Sequence, residues 1–228
     1  MEFSVQHQPV FSTVEFKLDA EEAIVAQPNS MLTMTSGIQI KAAGGRGRKP
    51  GWRSGFGSLL GGESFFTASF SAKSDNQMVT LAPDSYGDIV VIDMKDAGGF
   101  YLTRGSYLAN TGDCELKVKY GGMKGVMSKK GLFLLHASGD GTVFCQTYGA
   151  VVDRVLDEGE VFFVDNRFVV AFSDTIQYQL VKATDSVKDS LMSGEGLVNR
   201  YTGPGRLIYQ TRSKPGVGML GYLVDAVT

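Results

Sequence analysis

The chain has 228 residues, of which 43% are hydrophobic and 20% are charged, a composition typical of globular proteins and unlike that of disordered segments. Its net charge of −2 provides no overall positive field that would attract nucleic acid, although a local basic patch still could. No apolar run approaches the ~20 residues of a membrane-spanning helix. The first residues carry neither a basic leader nor an export signal, so we expect a cytoplasmic protein.

Short strands dominate the chain from its beginning. Residues Val14–Leu18 alternate between apolar and polar, which predicts a half-buried strand. Two more strands are predicted at 23–26 and 31–34, with a turn at Pro28-Asn29 between them. From 65 to 180, strand-like runs follow one another at intervals of roughly eight to twelve residues, a spacing typical of sandwiches and barrels. The sequence therefore predicts an all-β protein.

A glycine-rich basic loop interrupts this pattern at 44–53. Its positive side chains are Arg46, Arg48, Lys49 and Arg53. The loop lacks the Gly-Lys-Ser/Thr ending of a Walker motif. It could contact an RNA backbone, an anionic lipid surface or an acidic partner, or it could simply be a solvated surface loop.

An apolar segment follows the basic loop. Its large side chains are Trp52, Phe56, Leu59 and Leu60. Their spacing of i, i+4, i+7 and i+8 predicts one face of a short helix, which the intervening glycines weaken. Smaller apolar faces occur at 123–127 and 187–192. We expect short helices between the strands, which either plug the ends of β-sandwiches or form a contact face for a partner or a membrane.

The region 194–211 recurs within the chain. Gly203-Pro204-Gly205 corresponds to Gly139-Asp140-Gly141, and Gln210-Thr211 corresponds to Gln146-Thr147. A weaker copy occupies 62–81. Glycine-rich centres of this kind predict a tight turn between two strands. Self-similarity at this spacing indicates an internally repeated architecture.

The second half of the repeat determines the predicted boundaries. It follows the first half at 149–164 and at 87–102, but too few residues remain after Thr211. The N-terminal segment Leu18–Val25 resembles the segment that begins at Leu156. We therefore predict one β domain over 1–228 with pseudo-threefold symmetry. Its three β-sandwich units cover about 64–120, about 121–185, and about 186–228 together with 1–45, the third being closed by both chain ends.

The residues that could carry chemistry are few. Only His7 and His136 are available, whereas metal sites in β-sandwich proteins need two or three histidines with a carboxylate. A Ser–His or Cys–His pair would have to use one of these two, and no Gly-x-Ser-x-Gly elbow is present. Cys114 and Cys145 match no zinc-binding spacing, and we expect two buried free thiols. We expect no enzyme activity, no metal and no cofactor.

The repeat also aligns three charged residues at equivalent positions. They are Glu63, Lys130 and Glu195. Salt bridging, or capping of the neighbouring short helix, is the simpler interpretation of such residues. Catalysis would need carboxyl groups with raised pKa values.

Several of these motifs resemble the altered-inheritance-of-mitochondria family, a domain of unknown function. They are Ser193-Gly194-Glu195-Gly196-Leu197, Thr202-Gly203-Pro204-Gly205, Gln210-Thr211, the loop ending Leu59-Leu60-Gly61-Gly62-Glu63-Ser64, and Arg104-Gly105-Ser106-Tyr107-Leu108-Ala109. The resemblance extends over roughly Val14 to Thr211. It implies three sandwich units like those of the tryptophan RNA-binding attenuator protein. It implies no catalytic residues, and the link of mitochondrial members to inner-membrane organisation suggests scaffolding.

Three functions remain open. The first is a non-enzymatic interaction or scaffold protein that binds a protein partner or itself as a homo-oligomer. The alternative is a module that binds RNA, anions or a membrane surface peripherally through the loop 44–53. The third is a small-molecule-binding sandwich or an enzyme of unrecognised type, which would need a deep pocket with converging polar groups.

Overall fold

The computed structural model describes residues 1–44, 66–95, 98–103, 105–121, 132–182 and 197–213. These residues are almost entirely β, which confirms the predicted class. The strands are β1 (Glu2–Gln6), β2 (Thr13–Leu18), β3 (Ala23–Ala26), β4 (Met31–Met34), β5 (Ile38–Gly44), β6 (Phe66–Ala72), β7 (Gln77–Leu81), β8 (Ile89–Asp93), β9 (Phe100–Thr103), β10 (Tyr107–Gly121), β11 (Leu132–Gln146), β12 (Val151–Leu156), β13 (Val161–Val164), β14 (Val169–Ser173), β15 (Gln177–Lys182), β16 (Leu197–Thr202) and β17 (Gly205–Gln210).

The strands form three sheets. A four-stranded sheet has the order β1-β2-β7-β4, and a three-stranded sheet has the order β13-β16-β15. A ten-stranded sheet has the order β12-β17-β14-β9-β11-β10-β3-β6-β5, with β8 also paired to β11. All strand pairs are antiparallel. The large sheet therefore links the N-terminal and C-terminal parts of the chain.

Alternation along the strands places the core between sheets. Val14, Phe16 and Leu18 of β2 are fully buried, whereas Lys17 is exposed, as predicted for this segment. Three clusters of buried apolar residues result, one around Phe16, one around Ile92 and one around Phe172. Burying apolar side chains between facing sheets is the main force that stabilises such sandwiches.

The central ladder consists of the two longest strands. β10 and β11 form one continuous antiparallel pairing from Tyr107↔Cys145 to Gly121↔Leu132, with a single register shift at Tyr107/Ala109. The tight turn predicted at Gly139-Asp140-Gly141 is therefore wrong, because β11 continues through these residues. Gly139 and Gly141 have φ values of +108° and +158°, and a side chain on either would collide with a carbonyl oxygen of β10. Glycine is needed here for close strand approach.

The pairing also corrects the predicted closure of the third unit. β2, β3 and β5 pair with β6 and β7, whereas β16 and β17 pair with β12 to β15. Within the described residues no strand pair joins 1–44 to 197–213, so the two chain ends do not complete one sandwich. Each block instead pairs with strands close to it in sequence, a common preference in protein topology.

Short helices were predicted between the strands. The segments at 52–60, 123–127 and 187–192 lie outside the described residues. Elsewhere, the described chain contains a single 3-10 turn at Asn166–Phe168. Asp165 caps this turn, because its carboxylate Oδ1 accepts a 2.8 Å hydrogen bond from the Arg167 backbone N–H.

Candidate interaction surfaces

The site residues predicted from sequence all lie outside the described part of the chain. They are Arg46, Arg48, Lys49 and Arg53 of the basic loop, Trp52, Phe56, Leu59 and Leu60 of the apolar segment, and the aligned Glu63, Lys130 and Glu195. Their roles stay predictions.

One histidine–carboxylate pair occurs among the residues that the structure describes. The His136 Nε2 lies 3.1 Å from the Asp174 Oδ2, and the imidazole packs on Tyr101 with ring centroids 4.9 Å apart. The contact between His136 and Asp174 links β11 to the turn after β14. The Asp174 backbone N–H also donates to the Gly99 carbonyl at 2.9 Å. Acyl transfer would also need a nucleophile within hydrogen-bond reach of the histidine. The contacts of His136 with Asp174 and Tyr101 are those of a packed rim residue. No group of three or more potential metal ligands occurs among the described residues.

The two cysteines are free thiols in apolar surroundings. Cys145 is fully buried, and burial raises its pKa to about 12. Burial raises the pKa of the half-buried Cys114 to about 11, with smaller contributions from the carboxylates of Asp140 and Asp113. Because the thiolate is the nucleophile, neither cysteine is activated near neutral pH.

Several strands at the ends of their sheets carry a large exposed apolar side chain, and among the described strands β4 and β13 carry more than one. The end strands with a single one are β1 (Phe3), β5 (Ile40), β12 (Val155) and β15 (Leu180). On β4, Met31, Leu32 and Met34 are 39%, 57% and 42% exposed. On β13, Val161 and Phe163 are 39% and 55% exposed. We call these strands the β4 edge and the β13 edge. Clustered exposed apolar residues indicate surfaces that bind another molecule.

Strands inside the large sheet differ sharply from these edges. On β10, residues Tyr107 to Ala109 are buried, and all five residues of β14 are buried. β10 pairs with β3 and β14 pairs with β9, whereas β4 pairs only with β7 and β13 only with β16 among the described strands. An unpaired edge presents free N–H and C=O groups to a further strand.

A row of aromatic rings forms a third exposed surface. Phe11 lies 6.4 Å from Tyr86, and Tyr86 lies 5.7 Å from Tyr148, measured between ring centroids. The backbone beneath them is joined by parallel bridges Phe11↔Gly87 and Gly87↔Gly149. A side chain at Gly87 would collide with the Thr147 carbonyl, so glycine keeps these segments together. Exposed aromatic rings are common in contact surfaces.

These observations define an all-β protein of packed antiparallel sheets with exposed apolar edges. Among the described residues, no helix has the length and apolar character needed to cross a membrane. The chain belongs to the family described as mitochondrial biogenesis AIM24, whose model matches residues 3–212. This result confirms the resemblance noted in the sequence.

Two relatives come from Streptococcus pyogenes. An uncharacterised protein of serotype M6 is 27% identical over 221 residues, which cover 92% of this chain and 86% of that protein. The X-ray crystal structure of a protein from the same species has a TM-score of 0.74 with 23% identity, covering 100% of this chain and 99% of that one. At this identity, the structural likeness shows the fold alone.

Sequence reasoning missed the β4 and β13 edges and the aromatic row. Met31–Met34 was predicted as a strand, but an apolar strand is normally expected to be covered, and its exposure depends on where the sheet ends. The row has a weak sequence signal, since Tyr86-Gly87 and Tyr148-Gly149 each place an aromatic residue before a glycine. Phe11 lacks that signal.

Proposed function

We propose that this chain is a non-enzymatic interaction or scaffold protein that associates with itself, and that it is built from three copies of one six-strand unit. The first unit runs from β2 to β7, the second from β8 to β11 and the third from β12 to β17. In the second unit, β10 and β11 each supply two of the six strand positions. These limits replace the boundaries predicted from sequence.

The pairing order supports three equivalent units. In each, the first strand pairs with the last and the last with the third: β2-β7-β4, β8-β11-β10 and β12-β17-β14. The second strand pairs with the fifth and the fifth with the fourth: β3-β6-β5, β9-β11-β10 and β13-β16-β15. The same two three-stranded layers therefore recur along the chain.

Local details support the same equivalence. The Asp19 backbone N–H donates to the Glu22 Oε2 at 2.9 Å, and the Asp157 N–H donates to the Glu160 Oε2 at 2.9 Å, in the corresponding turns of the first and third units. The third strand of every unit has a register shift at one place: Met31/Thr33, Tyr107/Ala109 and Val169/Ala171. Shared irregularities are stronger support than shared strands, because bulges are specific features of a fold.

The exposure of the β4 edge is the observation that carries the proposed function. Leu32 is 57% exposed, whereas its counterparts Leu108 and Val170 in the other units are 0% and 1% exposed. Leaving a large aliphatic side chain in water forgoes about 1.5–3 kcal/mol of burial free energy. A second molecule that covers this strand would recover much of it.

Light scattering coupled to size exclusion tests self-association. We expect the wild-type protein to elute as a discrete oligomer, and Leu32→Lys or Phe163→Lys to shift it toward the monomer mass, because each places a charge at a contact. Ile40→Lys is the matched control, since Ile40 is 44% exposed on β5, which ends the large sheet but is neither of the two strands proposed to make the contact. A monomeric wild-type protein at high concentration would contradict the proposal.

The alternative function rests on the basic loop. Arg46, Arg48, Lys49 and Arg53 would bind the phosphates of RNA or of anionic lipids, and Trp52 would sit at the contact. Binding that weakens steeply with salt, and that is lost when the four residues are changed to Ala, would support it. The cytoplasmic location likewise stays a prediction.

A further inference from the structure

We infer that the β13 edge of one molecule pairs antiparallel with the β4 edge of the next, placing Phe163 opposite Met34 and Val164 opposite Thr33 of the next copy. The contact is head-to-tail, because it joins two different surfaces. It rests on the three equivalent units of the proposed function and specifies how their self-association occurs.

The chain already contains this junction twice. Between the first and second units, β3 pairs with β10 through Ala26↔Ala109 and Val25↔Asn110. Between the second and third units, β9 pairs with β14 through Leu102↔Ala171 and Tyr101↔Phe172. In both, the second strand of one unit pairs with the third strand of the following unit.

The two junctions pair residues at equivalent positions of their units. Ala109 and Ala171 each stand directly after the register shift of the third strand, and Thr33 holds that position in the first unit. On the other side, a four-residue turn begins at Gln27, Thr103 and Asp165. Each turn is closed by a bond to the first carbonyl, from Ser30 Oγ to Gln27 O, from Ser106 Oγ to Thr103 O and from Phe168 N to Asp165 O. Val164 therefore corresponds to Ala26 and Leu102.

One strand of each type is left over. Among the described strands, none pairs with the free side of β13 in the third unit, and none pairs with the free side of β4 in the first unit. Within the described residues these two strands do not pair with each other. Among the described residues the series of junctions therefore stays open at β13 and at β4. The inferred next junction joins these two strands between two molecules.

The exposure of residues on β4 indicates which strand would cover it. Thr33 is exposed, whereas Ala109 and Ala171 at the same position are fully buried by their junctions. Met34 is 42% exposed, whereas its counterparts Asn110 and Phe172 are 4% and 0% exposed. What covers the counterparts is the second strand of a neighbouring unit, and the equivalent free strand is β13, which carries the exposed Phe163.

The backbone bridges beneath the aromatic row follow the same order of units. The parallel bridges step from Phe11 to Gly87 to Gly149, one position per unit. The proposed contact would place Phe11 of the next copy beside Gly149, so the same operation extends the backbone bridges as well as the sheet. Repetition of one heterologous contact gives a ring if its rotation closes and a filament if it does not.

Mixed cysteine cross-linking tests the contact. Phe163→Cys and Met34→Cys are made separately in the full-length chain, oxidised alone and as a mixture, and run on non-reducing denaturing gels. We expect a disulfide-linked dimer from the mixture and little from either variant alone, because directly opposite residues have Cβ atoms about 4.5–5.5 Å apart. The wild-type chain controls for Cys114 and Cys145.

Two controls fix the register and the surface. Phe163→Cys mixed with Thr33→Cys should cross-link much less, since neighbouring side chains on a strand point to opposite faces. Adding Leu32→Lys to the Met34→Cys chain should abolish the cross-link. Because Phe163 and Met34 are substantially exposed in the single chain, their replacement leaves the sandwich cores intact.

The outcomes separate the two proposals. An oligomer by light scattering whose cysteine variants cross-link only with themselves, or not at all, would overturn the β13–β4 contact and leave self-association standing. A monomer by light scattering would overturn both. A cross-linked mixture with unlinked single variants is the result that supports the head-to-tail contact.

Discussion

Gln27 and Gln146 exchange hydrogen bonds through their side-chain amides. The Nε2 of Gln27 donates to the Oε1 of Gln146 at 3.3 Å, and the Nε2 of Gln146 donates to the Oε1 of Gln27 at 3.2 Å. The buried Gln146 also accepts from the Asp84 backbone N–H and donates to the Gly105 carbonyl. One side chain thus holds together four segments at the first internal junction.

Replacing Gln146 with Leu should therefore destabilise the protein. The change keeps the side-chain volume but removes the hydrogen bonds that Gln146 makes with Gln27, Asp84 and Gly105, and one such bond contributes about 0.5–1.5 kcal/mol net. Urea unfolding followed by tryptophan fluorescence or circular dichroism would measure the loss. Gln179→Leu, at an exposed position of β15, should change stability by less than about 0.5 kcal/mol. Equal effects of the two would contradict the role of the Gln146 amide.

Replacing Gly87 with Ala should disrupt the backbone bridges under the aromatic row. The added Cβ would overlap the Thr147 carbonyl oxygen, which belongs to a paired segment and cannot rotate away. We expect a loss of about 2 kcal/mol or more, in the range of overpacked cores. Gly105→Ala is the control for substitution without a collision, because its φ is +82° but nothing lies within 4 Å of the new Cβ. That variant should lose only about 1 kcal/mol through backbone strain. A larger loss for Gly105→Ala would argue against the steric explanation.

The native thiols should resist modification. Cys145 is fully buried with its pKa raised to about 12, so a thiol reagent at pH 8 should label it only as fast as the protein opens. Cys114 is half-buried with a pKa of about 11 and should react slowly. Mass spectrometry of labelled peptides in native buffer and in urea would compare the two sites. Rapid native labelling of Cys145 would show that its surroundings are open.

Stability should fall at alkaline pH. The folded-state pKa of Cys145 lies near 12, above its unfolded value near 8.5, so the unfolded chain loses this proton first. The stability is complete below about pH 8.5 and decreases toward pH 12, by up to about 1.4 kcal/mol per pH unit for this thiol. Burial also raises the pKa of the Tyr107 and Tyr201 phenols, which adds to the loss above pH 10. Urea midpoints measured from pH 7 to 10.5 should decline, and less steeply for Cys145→Ala.

Local pattern predicted the strands better than it predicted their partners. Alternation in Val14–Leu18 identified a half-buried strand, and the likeness of Leu18–Val25 to the segment from Leu156 marks two turns with the same Asp–Glu bond. A sequence repeat gives the length of the repeating unit but not the residue at which a unit begins. The pairing of β2 with β7 defines the beginning and the end of the first unit. This pairing depends on short connections and core packing, which the residues of β2 alone do not encode.

The exposed surfaces were beyond sequence reasoning for a different reason. Leu32 and Leu108 are the same residue type at corresponding strand positions, yet one is half-exposed and the other fully buried. The difference arises because β10 has a neighbour in β3 and β4 ends its sheet. Exposure of this kind is a property of the assembled sheets. The residues predicted as sites, such as Arg46 and Glu195, fall outside the described residues, so their roles stay predictions.

The continuous β10–β11 ladder has a consequence for how the molecule opens. In the flanking units the corresponding positions are divided between separate strands, whereas here fourteen registered residue pairs run from Tyr107↔Cys145 to Gly121↔Leu132 across both layers. One layer of the middle unit cannot separate without straining the other. Amide protons near Ala109 and Phe144 should therefore exchange with solvent only through global unfolding, while those of β4 and β13 in an unassociated molecule exchange through local fraying. The middle unit would therefore be the last part of the chain to unfold, and the first and third units would open before it.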